Sequence, residues 1–188
     1  LLASYGAEVV LTEGHLGMAG CIAKAEELHL TTPNSIIPQQ FSNRANPQIH
    51  ERTTALEIWN DTDGKVTAFV AGVGTGGTIS GVGRGLKSLN PHIHITAVEP
   101  ISSPLLKGGK SAPHGLQGIG ANFIPENYDA SVVDEIIGVS EVDAINTLHA
   151  LARTEGIFAG ISSGAALYAA HQMAMRPEYQ NKIIVALL

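Results

Sequence analysis

The chain has 188 residues and a formal net charge of −6 at neutral pH. This length predicts one domain, or one domain and part of another, and the negative charge disfavours a nucleic-acid surface. The single cysteine, Cys21, excludes an internal disulfide and is typical of a reducing compartment, and no apolar run is long enough to span a membrane. We therefore expect a cytoplasmic protein that contacts neither nucleic acid nor membrane.

The first part of the chain predicts short elements separated by turns. A helix end at 1–5 is followed by a strand at 8–12, a helix at 18–28 and a strand-like segment at 35–40. A polar, turn-rich stretch around 43–47 predicts a domain boundary. We expect residues 1–43 to be the remnant of a smaller N-terminal domain and residues 44–188 to be a larger domain, truncated at its C-terminal end. The chain begins within a predicted helix without Met and ends within an apolar run, so we expect a fragment that lacks both ends.

Strands and helices alternate through the larger part. The predicted elements are a helix at 48–59, a strand at 66–71, a helix at 79–89, a strand at 94–99, a strand within 131–139, helices at 140–155 and 165–175, and a strand at 183–188. The continuous apolar run Val66 to Ala71 is typical of a buried parallel strand. The alternation predicts an α/β fold with an open, mainly parallel sheet flanked by helices.

A glycine-rich loop, Gly72 to Thr78, lies between a predicted strand and a predicted helix. A helix N-terminus has free N–H groups and a partial positive charge, so this arrangement favours a bound phosphate. Three alternatives stay open on pattern alone: a phosphate monoester, a dinucleotide bound through G-x-G-x-x-G with Glu99 on the ribose, and glycines needed only for packing. The hydroxyls of Thr75 and Thr78 favour the monoester, because its terminal phosphate has three oxygens to satisfy.

A second loop, Gly160 to Gly164, contains Ser162 and Ser163 directly before a predicted helix. Its serines could cap that helix, or one hydroxyl could face a ring nitrogen of a cofactor. His92 and His94 alternate on a predicted strand without a cysteine or an acidic cluster, so no metal site is predicted. Cys21 and Glu99 have simple structural readings, as a small core residue and as a solvent-exposed strand end.

Together these segments resemble the cysteine synthase (O-acetylserine sulfhydrylase) family, which uses pyridoxal 5′-phosphate. The resemblance covers nearly the whole chain in order, and it implies a tryptophan-synthase-β-like fold of fold type II. The matching segments are Tyr5–Gly14, Gln39–Asn43, Ala45–Pro47, His50–Thr54, Gly72–Thr78, Val98–Pro100, Gln117–Ala121 and Gly160–Ala165.

The resemblance also implies roles for particular residues. Ser162 matches the serine that hydrogen-bonds the pyridine nitrogen, and a neutral hydroxyl there favours β-elimination over deeper carbanion chemistry. Gln40 matches a glutamine near the substrate carboxylate, and Gly118 and Gly120 match glycines on the substrate side. The residues that match the phosphate-binding loop are Gly74, Thr75, Gly76, Gly77 and Thr78.

The implied activity is β-replacement in cysteine biosynthesis, in which O-acetylserine and sulfide give cysteine and acetate, by a cytoplasmic homodimeric transferase. The alternatives are a cystathionine β-synthase-type reaction and an NAD-dependent Rossmann dehydrogenase. The family's Schiff-base lysine has no counterpart here, because none of the six lysines has the matching sequence context. We therefore assign no catalytic residue and expect the fragment alone to be inactive.

Residues 108–116 resemble the family loop that contacts serine acetyltransferase. Lys110 and His114 match that loop, which implies this enzyme as a possible partner. Gly115 replaces a frequent lysine, so one charged contact of that loop is missing.

Overall fold

A computed structural model describes all residues from 1 to 188, and the chain divides into two compact units, Leu1–Pro38 and Gln39–Leu188. No helix combines the length and the apolar character needed to cross a membrane. The predicted assignment of 1–43 and 44–188 to a smaller and a larger, cofactor-binding domain stays a prediction.

The first unit contains one α-helix, α1 (Gly17–Thr31), preceded by short 3-10 turns at Ala3–Tyr5 and Gly14–Leu16. The predicted helix at 18–28 is confirmed and is longer at both ends. The predicted strands at 8–12 and 35–40 are wrong, because neither segment is a strand. A strand is stabilised by hydrogen bonds to a neighbouring strand, and the sheet of this structure includes neither segment.

The second unit contains a parallel four-stranded sheet in the order β3-β2-β1-β4. Its strands are β1 (Val66–Gly72), β2 (His94–Pro100), β3 (Glu135–Val139) and β4 (Ile183–Ala186). All four strands were predicted, β1 and β4 from apolar runs, and the predicted α/β class with a parallel sheet is confirmed.

Five helices surround the sheet: α2 (Ala45–Arg52), α3 (Thr54–Asp61), α4 (Gly77–Leu89), α5 (Glu141–Glu155) and α6 (Ile161–Ala174). The single helix predicted at 48–59 is wrong, since Thr53 has φ −121° and ψ −69° and separates α2 from α3. The Thr53 hydroxyl donates to the Ile49 carbonyl at 2.8 Å, a local bond that competes with regular helix. Helix α6 begins four residues before its predicted start, so Ser162 lies in its first turn.

Alternate residues of the central strand β1 pack on opposite faces of the sheet. Phe69 packs with Val82 and Leu86 of α4, whereas Val70 packs with Ala169 and Met173 of α6. This two-sided burial explains why β1 reads as a continuous apolar run. It also fixes the loop after β1 at the carboxyl edge of the sheet, where open α/β sheets bind ligands.

Candidate active site

The glycine-rich loop connects the C-terminal end of β1 to the N-terminus of α4, as predicted. Gly76 is the N-cap of α4 and has φ 81°, a left-handed conformation that favours glycine. Helix α4 has 13 residues, and its first turn presents N–H groups with a partial positive charge. The loop is therefore suited to an anion.

Helix α2 lies directly behind this loop because α4 has glycines on the face that it turns to α2. A methyl group added at Gly77 would meet the Asn46 side chain, and one added at Gly81 would meet the Pro47 carbonyl. A methyl group at Gly85 would likewise meet the α2 and α3 residues Glu51 and Ala55. The spacing of four residues places all three glycines on one side of α4.

Both threonine hydroxyls of the loop are contacted from α2. The Asn46 amide donates to Thr75 Oγ1 at 3.0 Å, and the Gly77 N–H donates to the same oxygen at 3.3 Å. His50 Nε2 lies 3.3 Å from Thr78 Oγ1, and its Nδ1 lies 2.9 Å from Thr54 Oγ1. Burial lowers the pKa of His50, which favours a neutral ring at neutral pH.

Three of the predicted site residues come together across the carboxyl edge of the sheet. A methyl group added at Gly74 would lie 2.5 Å from the Gly118 carbonyl oxygen, so the two loops touch through their backbones. A methyl group added at Gly118 would lie 3.7 Å from Ser162 Oγ. The glycine loop, Gly118 and the first turn of α6 therefore border one another.

Gly120 is tied to the glycine loop by a backbone hydrogen bond. Its N–H donates to the Val73 carbonyl at 2.9 Å, and its own carbonyl lies 2.8 Å from His114 Nε2. Gly120 also has φ 68°, so this turn favours glycine. The segment predicted to contact a partner is thus joined through His114 to the segment predicted to line the substrate side.

Gln40 is held by two asparagines that the sequence analysis did not single out. Its carbonyl accepts from the Asn46 amide at 2.8 Å and from the Asn127 amide at 3.0 Å. Asn127 is fully buried, and its N–H donates to the Phe41 carbonyl at 3.1 Å. Asn46 therefore connects Gln40 with Thr75, since one amide nitrogen donates to both.

Roles for Asn46, His50 and Asn127 were not predicted from the sequence. Asn46 and His50 lie within segments quoted for the family resemblance, and their spacing of four residues on a helix was the available signal. Asn127 had no local signal, because its amide contacts residues more than 80 positions away in the sequence.

Glu99 is not the solvent-exposed strand end that the sequence suggested. It is 2% exposed and borders a small pocket that Val73 and Gly74 also line. One carboxylate oxygen accepts the Leu106 N–H at 2.7 Å, and burial raises the pKa of the group. Its local role is to hold the Leu106 backbone, which leaves the ribose-binding alternative without support.

A parallel α/β sheet that carries a loop suited to an anion at its carboxyl edge is typical of proteins that bind phosphorylated small molecules. The chain belongs to the family described as pyridoxal-phosphate dependent enzyme, whose sequence profile matches residues 1–188. This family membership confirms the predicted cofactor class and decides between pyridoxal phosphate and the dinucleotide.

Within this family, the chain is similar to curated cysteine synthases and to solved structures of related enzymes. The chain is 49% identical over 197 residues to cysteine synthase A of Escherichia coli strain K12, covering 100% of this chain and 61% of that protein. It resembles the crystal structure of cysteine synthase from Entamoeba histolytica with a TM-score of 0.92 and 44% identity, covering 98% of this chain and 55% of that one. The crystal structure of a mutant of O-ureido-L-serine synthase with bound O-ureido-L-serine matches with a TM-score of 0.94 and 40% identity, over 100% of this chain and 58% of that one. The predicted family resemblance and fold are confirmed, and the chain spans about three fifths of the length of the curated relatives.

Proposed function

We propose that the chain holds pyridoxal 5′-phosphate with its phosphate at the glycine loop and its ring nitrogen at Ser162. The loop offers the N–H groups of the first turn of α4 and the hydroxyls of Thr75 and Thr78, a donor set that suits a terminal phosphate. Gly74 and Gly118 carry no side chains, so the backbone between this loop and Ser162 can approach a bound ring closely. Gly76 and Gly77 complete the proposed phosphate site.

We further propose that the whole protein makes cysteine from O-acetylserine and sulfide. In this β-replacement the bond between the substrate β-carbon and the ester oxygen of the acetyl group breaks, and acetate leaves. A bond then forms between the β-carbon and the sulfur of sulfide. Support comes from the names of the relatives, which include cysteine synthases and an O-acetylserine sulfhydrylase of Entamoeba histolytica. When bound, pyridoxal phosphate supplies an electron-withdrawing ring that stabilises negative charge at the substrate α-carbon.

The observation that carries the proposal is the neutral hydroxyl of Ser162, directly across Gly118 from the phosphate loop. A hydroxyl partner leaves the ring nitrogen less protonated than a carboxylate would, so the ring withdraws electrons less strongly. This favours loss of the β-substituent over deeper carbanion chemistry. Gln40 is proposed to hold the substrate carboxylate, and the two asparagines fix its backbone. Gly118 and Gly120 are proposed to line the substrate side with backbone alone.

The test is a pair of neighbouring serine variants in the full-length protein. Ser162→Ala should lower the rate of cysteine formation from O-acetylserine and sulfide about tenfold or more, because a hydrogen bond to the cofactor ring is lost. Ser163→Ala is the matched control, since Ser163 is buried in the same turn and its N–H bonds the Gly160 carbonyl. Equal effects of the two variants, or no cysteine formation by the parent protein, would contradict the proposal.

A second acceptor reaction is the alternative. The chain resembles an O-acetylserine dependent cystathionine β-synthase from Helicobacter pylori with a TM-score of 0.91 and 37% identity. Mass spectrometry of the products formed from O-acetylserine with sulfide or with homocysteine distinguishes the two. Faster formation of cysteine supports the first proposal, and faster formation of cystathionine supports the alternative.

We also propose that the 188-residue chain is inactive by itself. None of its six lysines is buried, and Lys24, Lys65 and Lys87 are engaged in ion pairs with carboxylates. A lysine that holds the cofactor and transfers protons is normally sequestered from water. Turnover of O-acetylserine and sulfide by the purified chain would overturn this point.

The homodimer, the cytoplasmic location and the serine acetyltransferase contact through Lys110 and His114 remain predictions. The surroundings of Gly115 bear on the last of these, because a side chain there would meet the Glu141 carboxylate. A lysine at 115 would therefore displace the Glu141 side chain. We propose that Gly115→Lys restores the charged contact that the loop lacks and strengthens binding of serine acetyltransferase, measured by calorimetry against the parent protein. Unchanged or weaker binding would contradict this role of residue 115.

A further inference from the structure

Helix α2 places two polar side chains, one turn apart, against the two threonines of the glycine loop. Asn46 contacts Thr75 and His50 contacts Thr78. What these contacts do to the hydroxyl hydrogens follows from hydrogen-bond chemistry, and the inference rests on the proposed phosphate site.

The Thr75 hydroxyl is left with its hydrogen free to be donated. A hydroxyl has one hydrogen and two acceptor lone pairs. Thr75 Oγ1 accepts from both the Asn46 amide and the Gly77 N–H, so both lone pairs are used from behind the loop. The remaining interaction of this hydroxyl is donation, and a phosphate offers only acceptors to meet it.

The state of the Thr78 hydroxyl depends on which nitrogen of His50 carries the hydrogen. If Nε2 carries it, the ring donates to Thr78 and leaves the threonine hydrogen free. If Nε2 is bare, the Thr78 hydroxyl donates to the ring and is lost to a ligand. The Thr54 hydroxyl lies 2.9 Å from Nδ1 and is compatible with the first arrangement, because it can donate to that nitrogen when it is bare.

We propose that Asn46 and His50 are positioning residues that fix the two loop threonines as donors toward the cofactor phosphate. The hydrogen bonds then run in one direction, from Thr54 through His50 and Thr78 to the phosphate. Neither α2 residue touches the cofactor in this arrangement. The glycines at 77 and 81 are what allow α2 to come close enough.

The first test compares two amide variants of His50 in the full-length protein. The glutamine amide of His50→Gln can reach the position of Nε2, whereas the shorter amide of His50→Asn reaches only toward Thr54. The readout is equilibrium affinity for pyridoxal 5′-phosphate and for pyridoxal, which lacks the phosphate. His50→Asn should weaken phosphate-ester binding about tenfold and leave pyridoxal binding within about twofold, while His50→Gln should retain most of the preference.

A second test approaches the same hydrogen bonds from Thr54, and it applies even if a His50 variant fails to fold. Thr54→Val removes the donor to Nδ1, which frees the ring to turn its bare nitrogen toward Thr78. We expect a loss of about threefold in the preference for the phosphate ester. Thr53→Val is the matched control, since the Thr53 hydroxyl bonds only the Ile49 carbonyl in this structure.

The outcomes separate this inference from the function on which it rests. If the parent protein binds the phosphate ester no better than pyridoxal, both the phosphate site and the positioning roles are wrong. If the parent shows the preference and His50→Asn and Thr54→Val keep it, the site stands and the positioning roles are wrong. Equal weakening of both ligands by His50→Asn would show a packing role only and would also overturn the inference.

Discussion

Gly74 marks the point where the backbones of two loops touch. A methyl group there would lie 2.5 Å from the Gly118 carbonyl oxygen, closer than ordinary contact allows, and a backbone atom cannot rotate away as a side chain can. The two loops would have to separate, and both are proposed to border the cofactor.

Gly74→Ala should therefore weaken binding of pyridoxal 5′-phosphate about tenfold or more in the full-length protein, because overpacking of this kind costs about 1–3 kcal/mol. Fluorescence titration measures the effect. Gly14→Ala is the control, since a methyl group at Gly14 meets nothing within 4 Å. Unchanged affinity in Gly74→Ala would show that this close approach does not shape the site.

At the scale of single residues, local chemistry could be predicted and distant contacts could not. The loop glycines and Thr75 were predictable because a strand, a glycine loop and a helix follow one another in the sequence. The positions of Asn127 and His50 depend on contacts 87 and 28 residues away. A hydrogen-bonding side chain on a helix looks the same in sequence whether it faces water or a loop.

The contact between α2 and α4 is the element on which the site depends. Gly81 is buried in the middle of α4, where alanine would ordinarily gain about 1 kcal/mol in helix propensity. A methyl group at Gly81 would nevertheless meet the Pro47 carbonyl oxygen and His50 Cβ. The steric cost of about 1–3 kcal/mol should exceed that gain.

We accordingly expect Gly81→Ala to lower the free energy of unfolding by about 1–2 kcal/mol, measured by urea denaturation. It should also weaken binding of the phosphate ester, since α2 would move away from Thr78. Ser88→Ala is the control, because Ser88 is exposed and lies near the C-terminal end of α4. A more stable Gly81→Ala protein would mean that helix propensity outweighs the packing of α2.

Strands were predicted correctly where both faces of the strand are buried. They were predicted wrongly where a segment has no neighbouring strand to pair with. The parallel strands carry enough apolar residues to be recognised without knowledge of their neighbours. The segments at 8–12 and 35–40 have strand-like composition, yet Leu11 is 87% and Ile36 86% exposed. The composition of a segment indicates that it can form a strand, but the strand forms only when a neighbouring strand supplies backbone hydrogen bonds. The break at Thr53 was missed because a single backbone conformation divides an otherwise helical pattern.

Across the molecule, charge pairs link the sheet to the segments around it. Arg176, which follows α6, donates two hydrogen bonds of 2.8 Å to the Glu135 carboxylate on β3, and His94 of β2 lies 3.4 Å from that carboxylate. The hydrogen bonds from Arg176 lower the pKa of Glu135 below its ordinary value of 4.5. A lowered pKa in the folded state stabilises the fold above the unfolded pKa and loses this effect as the pH falls through the folded value.

Glu135→Gln should lower the free energy of unfolding at pH 7 by about 1–2 kcal/mol, because a partly buried, bidentate ion pair is lost. The difference from the parent protein should shrink as the pH falls below about 4.5 and vanish once the carboxyl is protonated in both states. Denaturation curves between pH 3 and pH 7 measure it. Glu126→Gln, an exposed glutamate outside the ion pairs, should show no such trend, and a pH-independent deficit in Glu135→Gln would contradict the pairing.

The central claim is that the loop from Gly72 to Thr78 holds the phosphate of pyridoxal phosphate while Ser162 meets its ring. A crystal structure of the full-length protein with the cofactor tests it most directly. We expect phosphate oxygens at about 2.7–3.1 Å from the hydroxyls of Thr75 and Thr78 and from the N–H groups of the first turn of α4, with Ser162 Oγ at the same distance from the ring nitrogen. A phosphate bound elsewhere, or a ring nitrogen that faces a carboxylate instead of Ser162, would contradict it.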